Sequence, residues 1–242
     1  MIGVSLRVAV CRRSVGVLLI SLCCPGALCA ASRPVSLTSA DGVALAAELY
    51  EASNRPAPGI VLVHMLGRSK DEWDSVAGRL QDAGASVLAI DLRGHGHSSG
   101  SAAQLAPMVE DVRAAIAWLA ARPGVRPGSL AVVGASLGAN LAALAAADAP
   151  IVGALALVSP SLDYRGLRLD AGVIKKLGDR PLWLAASTQD PYALRTLKEV
   201  AAGSGPREQR LSETPAHGTR LLADDPDLVR ALVDWLRRTL LF

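Results

Sequence analysis

The stretch Leu130-Ala-Val-Val-Gly-Ala-Ser-Leu-Gly138 decides how this chain is read. Residues 130–133 form an apolar run of strand length, and residues 137–147 are small and apolar, as in a helix packed tightly on its neighbours. Gly134-Ala-Ser-Leu-Gly138 therefore falls at a strand-to-helix turn. A serine at such a turn is held in a sharp, strained backbone that projects its hydroxyl, and a glycine on either side lets strand and helix approach without side-chain clashes. An ordinary glycine-rich turn would need only the space. The flanking strand and helix favour the stronger reading, with Ser136 as a nucleophile.

Working outward, residues 35–50 alternate apolar and polar positions around Asp41-Gly42, which predicts a β-hairpin. After the prolines at 56 and 58, Gly59-Ile-Val-Leu-Val-His64 has the nearly unbroken apolar character of a strand buried on both faces. Residues 71–83 carry Trp73, Val76, Ala77 and Leu80 at helical spacing and stop at Gly84. A strand over 86–90 runs into the glycine-rich loop Asp91-Leu-Arg-Gly-His-Gly-His-Ser98, followed by a helix over 107–121 that ends at Pro123-Gly124. Strands are expected over 151–158 and 181–186, and a last helix from Asp225 with Pro226 as its first residue. This rhythm predicts an α/β fold with a mostly parallel central sheet and helices on both faces. No repeat or linker divides residues 32–242, which are read as a single catalytic domain. The roughly 22 residues between the two late strands leave room for a short helix but no large cap domain.

A serine hydroxyl becomes a useful nucleophile only when a base takes its proton, and that base needs an acid to orient it. Of four histidines, His64, His95 and His97 precede the serine, whereas His217 in Pro215-Ala-His-Gly-Thr219 follows the late strands, the order that accompanies this turn type. The acid should lie in a loop after a late strand. Asp190, in Ser187-Thr-Gln-Asp-Pro-Tyr192, is favoured over Asp163, although it would also suit the N-cap of a helix beginning at Pro191. An oxyanion requires backbone donors. One is the amide of Leu137, and the second is that of Met65 or Leu66, in the loop after His64.

Taken together, Val61-Leu-Val-His-Met-Leu-Gly67, the 91–98 loop, Gly134-Ala-Ser-Leu-Gly138, Asp190 and His217-Gly218 resemble the α/β-hydrolase superfamily, especially small bacterial esterases and dienelactone-hydrolase-like members, over about residues 36–240. The resemblance implies the α/β-hydrolase fold and a serine hydrolase that cleaves carboxylic esters through an acyl-enzyme intermediate with a Ser136-Asp190-His217 triad. Dienelactone hydrolases proper carry cysteine at the turn where this chain has serine, so that particular activity is not implied. Acyl transfer on the same residues, a peptidase, or a non-catalytic binding domain of the same fold are the alternatives. Aromatic residues are 3% of the chain, which leads us to expect an aliphatic pocket for a small-molecule ester.

The remaining features exclude more than they assign. A formal charge of +3, dispersed over 242 residues, does not suggest a nucleic-acid partner. Residues 1–31 combine Arg7, Arg12 and Arg13 with an apolar run over 15–22 and small residues beyond, the layout of a signal peptide cleaved after Ala30 or Ala31. The apolar run is shorter than the roughly 20 residues a membrane-spanning helix needs, so no stable span is expected in the mature form, which would be exported to the periplasm or secreted. All four cysteines, Cys11, Cys23, Cys24 and Cys29, lie in this leader, so the mature fold would contain no disulfide. Leu22 before Cys23 and Leu28 before Cys29 disfavour a lipid anchor. His95 and His97 lack a third ligand at recognisable spacing, so no metal is expected, and no dinucleotide or phosphate fingerprint implies a cofactor.

Overall fold

The computed structural model describes Met1, Gly3 and residues 32–242; the signal-peptide expectation and its cleavage sites lie outside the described residues. The opening hairpin forms as read, β1 (Arg33–Thr38) pairing antiparallel with β2 (Ala44–Tyr50) about Asp41-Gly42. Next come β3 (Ala57–Val63), a 3-10 turn (Lys70–Trp73), α1 (Asp74–Asp82), β4 (Ser86–Ile90), α2 (Met108–Ala120), β5 (Val125–Ala135) and α3 (Leu137–Ala147). The second half contains β6 (Val152–Val158), the two-residue strands β7 (Asp163–Tyr164) and β8 (Leu167–Arg168), α4 (Ala171–Leu177), β9 (Leu182–Ser187) and α5 (Pro191–Ala201). It closes with β10 (Arg207–Ser212), α6 (Thr219–Asp224) and α7 (Pro226–Leu240).

Eight strands form one sheet in the order β1-β2-β4-β3-β5-β6-β9-β10. Every neighbouring pair from β4 to β10 is parallel, and only β2 runs against its neighbours. Apolar residues alternate between the two faces of the central strands. Val61 and Val63 of β3 face one core with α2, α3, α4 and α5, while Ile60 and Leu62 face a second with α1, α6 and α7. The second core sets the alanines Ala131, Ala154, Ala156 and Ala185 of the sheet against the large rings of Trp73, Trp183 and Trp235, large against small filling the space between layers.

One element escapes a hydrophobic-pattern reading. β10, Arg-Glu-Gln-Arg-Leu-Ser, is a polar edge strand with one fully buried residue, so it carries no apolar alternation. α5 follows directly from Asp190, whose side chain accepts from Ala193 N and caps it. β5 also starts earlier than its apolar run, because its first residues pair beside a shift in register against β3 at Ala57 and Gly59.

Because β3, β5, β6, β9 and β10 are parallel, their carboxyl ends open on one edge of the sheet, where open α/β sheets place their sites. The segment between β6 and β9 covers part of that edge as a small β7-β8 hairpin with α4. Asn140 of α3, fully buried, anchors it: Nδ2 donates to the carbonyls of Ser161 (2.7 Å) and Leu167 (2.8 Å), and Oδ1 accepts from Ser161 N (3.0 Å). Asn140→Ala orphans these groups and is expected to lower stability by about 2–3 kcal/mol in urea unfolding, with proteolysis appearing first in the hairpin.

Candidate functional site

The turn between β5 and α3 is built on a close backbone approach. A Cβ at Gly134 would meet the carbonyl of Gly138, and one at Gly138 would meet that of Val63, so side chains at these positions would force helix and strand apart. Between them Ser136 adopts φ 52° and ψ −117°, a left-handed conformation that costs a non-glycine residue about 1–3 kcal/mol. Its N–H is held by Val158 O at 2.9 Å, and the residue is 6% exposed. Leu137 opens α3, so its N–H lies among the first-turn donors that no helical carbonyl satisfies, at the positive end of the helix.

The residues singled out from the sequence come together here. Ser136 Oγ lies 2.8 Å from His217 Nε2, and His217 Nδ1 lies 2.6 Å from Asp190 Oδ2. With Nδ1–H donated to Asp190, Nε2 is left to accept from the serine. Asp190 makes two contacts at once: Oδ1 accepts from Ala193 N at 3.0 Å, capping α5, while Oδ2 lies against the imidazole. Asp163 is elsewhere: on the β7-β8 hairpin it accepts from Gly166 N (2.6 Å) and Arg168 Nε (2.9 Å), which together hold its carboxyl below the ordinary range. The His217 loop is pinned by residues the sequence did not flag. Gly218 N donates to the buried Ser159 Oγ at 3.0 Å, and Thr219 Oγ1 donates to Glu72 Oε2 at 2.8 Å. A Cβ on Gly218 would lie 2.7 Å from Met65 Sδ, so the Met65 side chain packs against the turn after His217.

The loop after β3 is braced by two histidines whose tautomers follow from their partners. Leu92 N donates to His64 Nε2 at 3.0 Å, so Nδ1 carries the proton and donates to Met65 O at 2.8 Å. Gly67 N donates to His95 Nε2 at 3.2 Å, and His95 Nδ1 donates to Arg93 O at 3.0 Å. Carbonyl and N–H point opposite ways across a trans peptide, so fixing Met65 O on His64 turns the N–H of Leu66 away from it. His97, by contrast, is exposed, with Asp91 3.9 Å away and Asp71 also near, and both His95 nitrogens are taken by backbone groups. Among the described residues no group of three or more His, Cys, Asp or Glu side chains gathers as a metal site. The rest of the 91–98 loop is scaffold: Asp91 accepts from the backbone of Lys70 and His97, and Arg93 is paired with buried Asp111 and with Asp41.

This sheet order, with a serine at the turn after the central strand, defines an α/β-hydrolase. The chain belongs to the serine aminopeptidase, S33 family of hydrolases, whose model matches residues 54–229. It is 28% identical over 229 residues to the uncharacterized protein Rv2307c of Mycobacterium tuberculosis, covering 87% of this chain and 79% of that one. It is 34% identical over 128 residues to the esterase Rv0045c of the same organism, covering 48% of this chain and 38% of the relative. In structure it resembles the Pyrococcus furiosus esterase Pf2001, with a TM-score of 0.71, 19% identity, and coverage of 87% and 93% of the two chains.

Burial pushes the His64 imidazole from 6.5 down to about 4. The folded chain therefore binds this proton less readily than the unfolded chain does, and stability complete above pH 6.5 is lost as pH falls toward 4. The loss expected from this group alone is on the order of 3 kcal/mol. Urea unfolding at pH 7 and pH 4.5 should show a smaller pH dependence in His64→Asn than in the wild-type protein.

Proposed function

We propose that the protein is a serine-dependent carboxylic ester hydrolase acting through an acyl-enzyme on Ser136. The observation that carries this reading is the continuous hydrogen-bonded path from Ser136 Oγ through His217 to Asp190. Ser136 Oγ attacks the acyl carbonyl as His217 Nε2 takes its proton, and Asp190 holds the imidazolium that forms. The oxyanion is received by the N–H groups of Leu137 and Leu66. Leu66 is chosen over Met65 because the bond from His64 to Met65 O presents the Leu66 N–H to the opposite side of that peptide. His217 then protonates the alcohol, which leaves. A water molecule, deprotonated by His217, attacks the acyl-enzyme; the carboxylic acid departs and Ser136 recovers its proton.

Hydrolysis is favoured over acyl transfer because only a short hairpin and helix lie between β6 and β9, leaving the site open to water. Cleavage of an amino-terminal peptide bond would require an acidic group for the substrate ammonium. The one carboxylate lining the groove beside His217 is Asp190, and both its oxygens are engaged. The esterase relative agrees with the ester reading. We further propose that the mature enzyme works outside the cytoplasm after loss of residues 1–31, and mass spectrometry of secreted or periplasmic material should give a chain starting at Ala31 or Ser32.

A panel of unactivated esters of increasing acyl length, assayed with the mature protein, tests the reaction. Ser136→Ala should abolish turnover to background, and Asp190→Asn should lower kcat by about 10³–10⁴-fold with KM little changed. A folded wild-type protein that turns over no ester removes the proposal.

A further inference from the structure

A groove of about 590 Å³ runs beside His217, walled by Tyr164, Tyr192, Pro191, Pro215 and Gln189 and reaching Ser161. The low aromatic content leads to the expectation of an aliphatic pocket, yet two of the three tyrosines in the chain converge here. Tyr192 is 81% exposed, an unusual position for a large ring, and it stands at the first turn of α5, two residues after Asp190. Tyr164, on the β7-β8 hairpin, is half-buried against the core, with the Arg165 guanidinium 5.9 Å from its ring centre. No ring or cation occupies Tyr192 among the described residues, and the hydroxyls of Tyr164, Tyr192 and Ser161 have no hydrogen-bond partner there.

The reaction assigns a direction to this groove. In the first half-reaction the alcohol oxygen must receive its proton from His217 Nε2, so the alcohol half of the ester lies over the imidazole while the carbonyl oxygen points toward the amides of Leu137 and Leu66. His217, Ala216 and Pro215 form one wall of the groove, and Asp190, Pro191 and Tyr192 form another. A substituent on the alcohol therefore passes across the imidazole edge into a slot with tyrosine and proline faces and hydroxyls along it. Flat rings pack on such faces in offset or edge-on geometry, and a straight alkyl chain gains less from them.

Resting on the ester-hydrolase reading, we propose that this groove is the leaving-group subsite and that it selects esters of ring-bearing, aryl-type alcohols, with Tyr192 as a specificity-determining residue. The acyl half is not held by this slot, so selectivity should follow the alcohol.

Benzyl, n-hexyl and methyl esters of one short acid, whose alcohols differ little in acidity, make the comparison without electronic activation. The wild-type ratio of benzyl to n-hexyl kcat/KM should exceed one, and in Tyr192→Ala it should fall by about tenfold, the loss lying mainly in KM. Tyr192→Phe should keep most of the ratio, because the ring face rather than the hydroxyl does the packing. Tyr192 is largely exposed, so its truncation does not endanger the fold. Turnover by the wild type with a ratio at or below one, or a ratio within twofold of wild type in Tyr192→Ala, overturns the subsite. Absence of turnover on all three esters by folded wild-type protein removes the hydrolase reading itself.

Discussion

The backbone contact between β5 and α3 is the constraint on which the site depends. Gly134 and Gly138 let the first turn of the helix sit against the carbonyls of β3, a separation that no side chain at either position allows. The close approach forces Ser136 into its left-handed conformation and holds it there through the Val158 carbonyl. The strain is retained because α3 is buried along nearly its whole length by the core on that face of the sheet. The serine hydroxyl is thereby delivered to the strand edge where the loops carrying Asp190 and His217 end.

The loops are fixed by polar groups that are individually modest. Ser159 and Glu72 hold the two residues after His217, Asn140 holds the hairpin beside the groove, and His64 and His95 hold the loop after β3 from two directions. Each buried histidine uses one nitrogen as donor and the other as acceptor, an arrangement available only to the neutral ring. The geometry around Ser136 is thus set before substrate arrives, which is the condition under which backbone amides stabilise a developing oxyanion best.

Much of this was legible because the central strands announce themselves as apolar runs and the turn around Ser136 as paired glycines. The order of Ser136, Asp190 and His217 along the chain then narrowed the choice of partners, and in the structure Ser136 and Asp190 each lie within hydrogen-bond distance of His217, on opposite sides of its ring. β10 was illegible because an edge strand bearing charged residues has no hydrophobic period. Ser159 and Asn140 left no local signal, since their partners lie 59 residues and 21–27 residues away along the chain and are set by tertiary structure alone. The convergence of Tyr164 and Tyr192 on one groove was not legible for a different reason: a low average content says nothing about where the few rings converge. The proposed choice of Leu66 over Met65 turns on which way one peptide carbonyl faces, which no sequence records.

The central claim is that Ser136 is a nucleophile activated by His217. The direct measurement is intact-mass and peptide analysis of the folded protein after treatment with a fluorophosphonate. The account predicts a single adduct per chain, located on Ser136, absent in Ser136→Ala and formed orders of magnitude more slowly in His217→Ala. No adduct on folded protein, or an adduct on another residue that persists in Ser136→Ala, would contradict it.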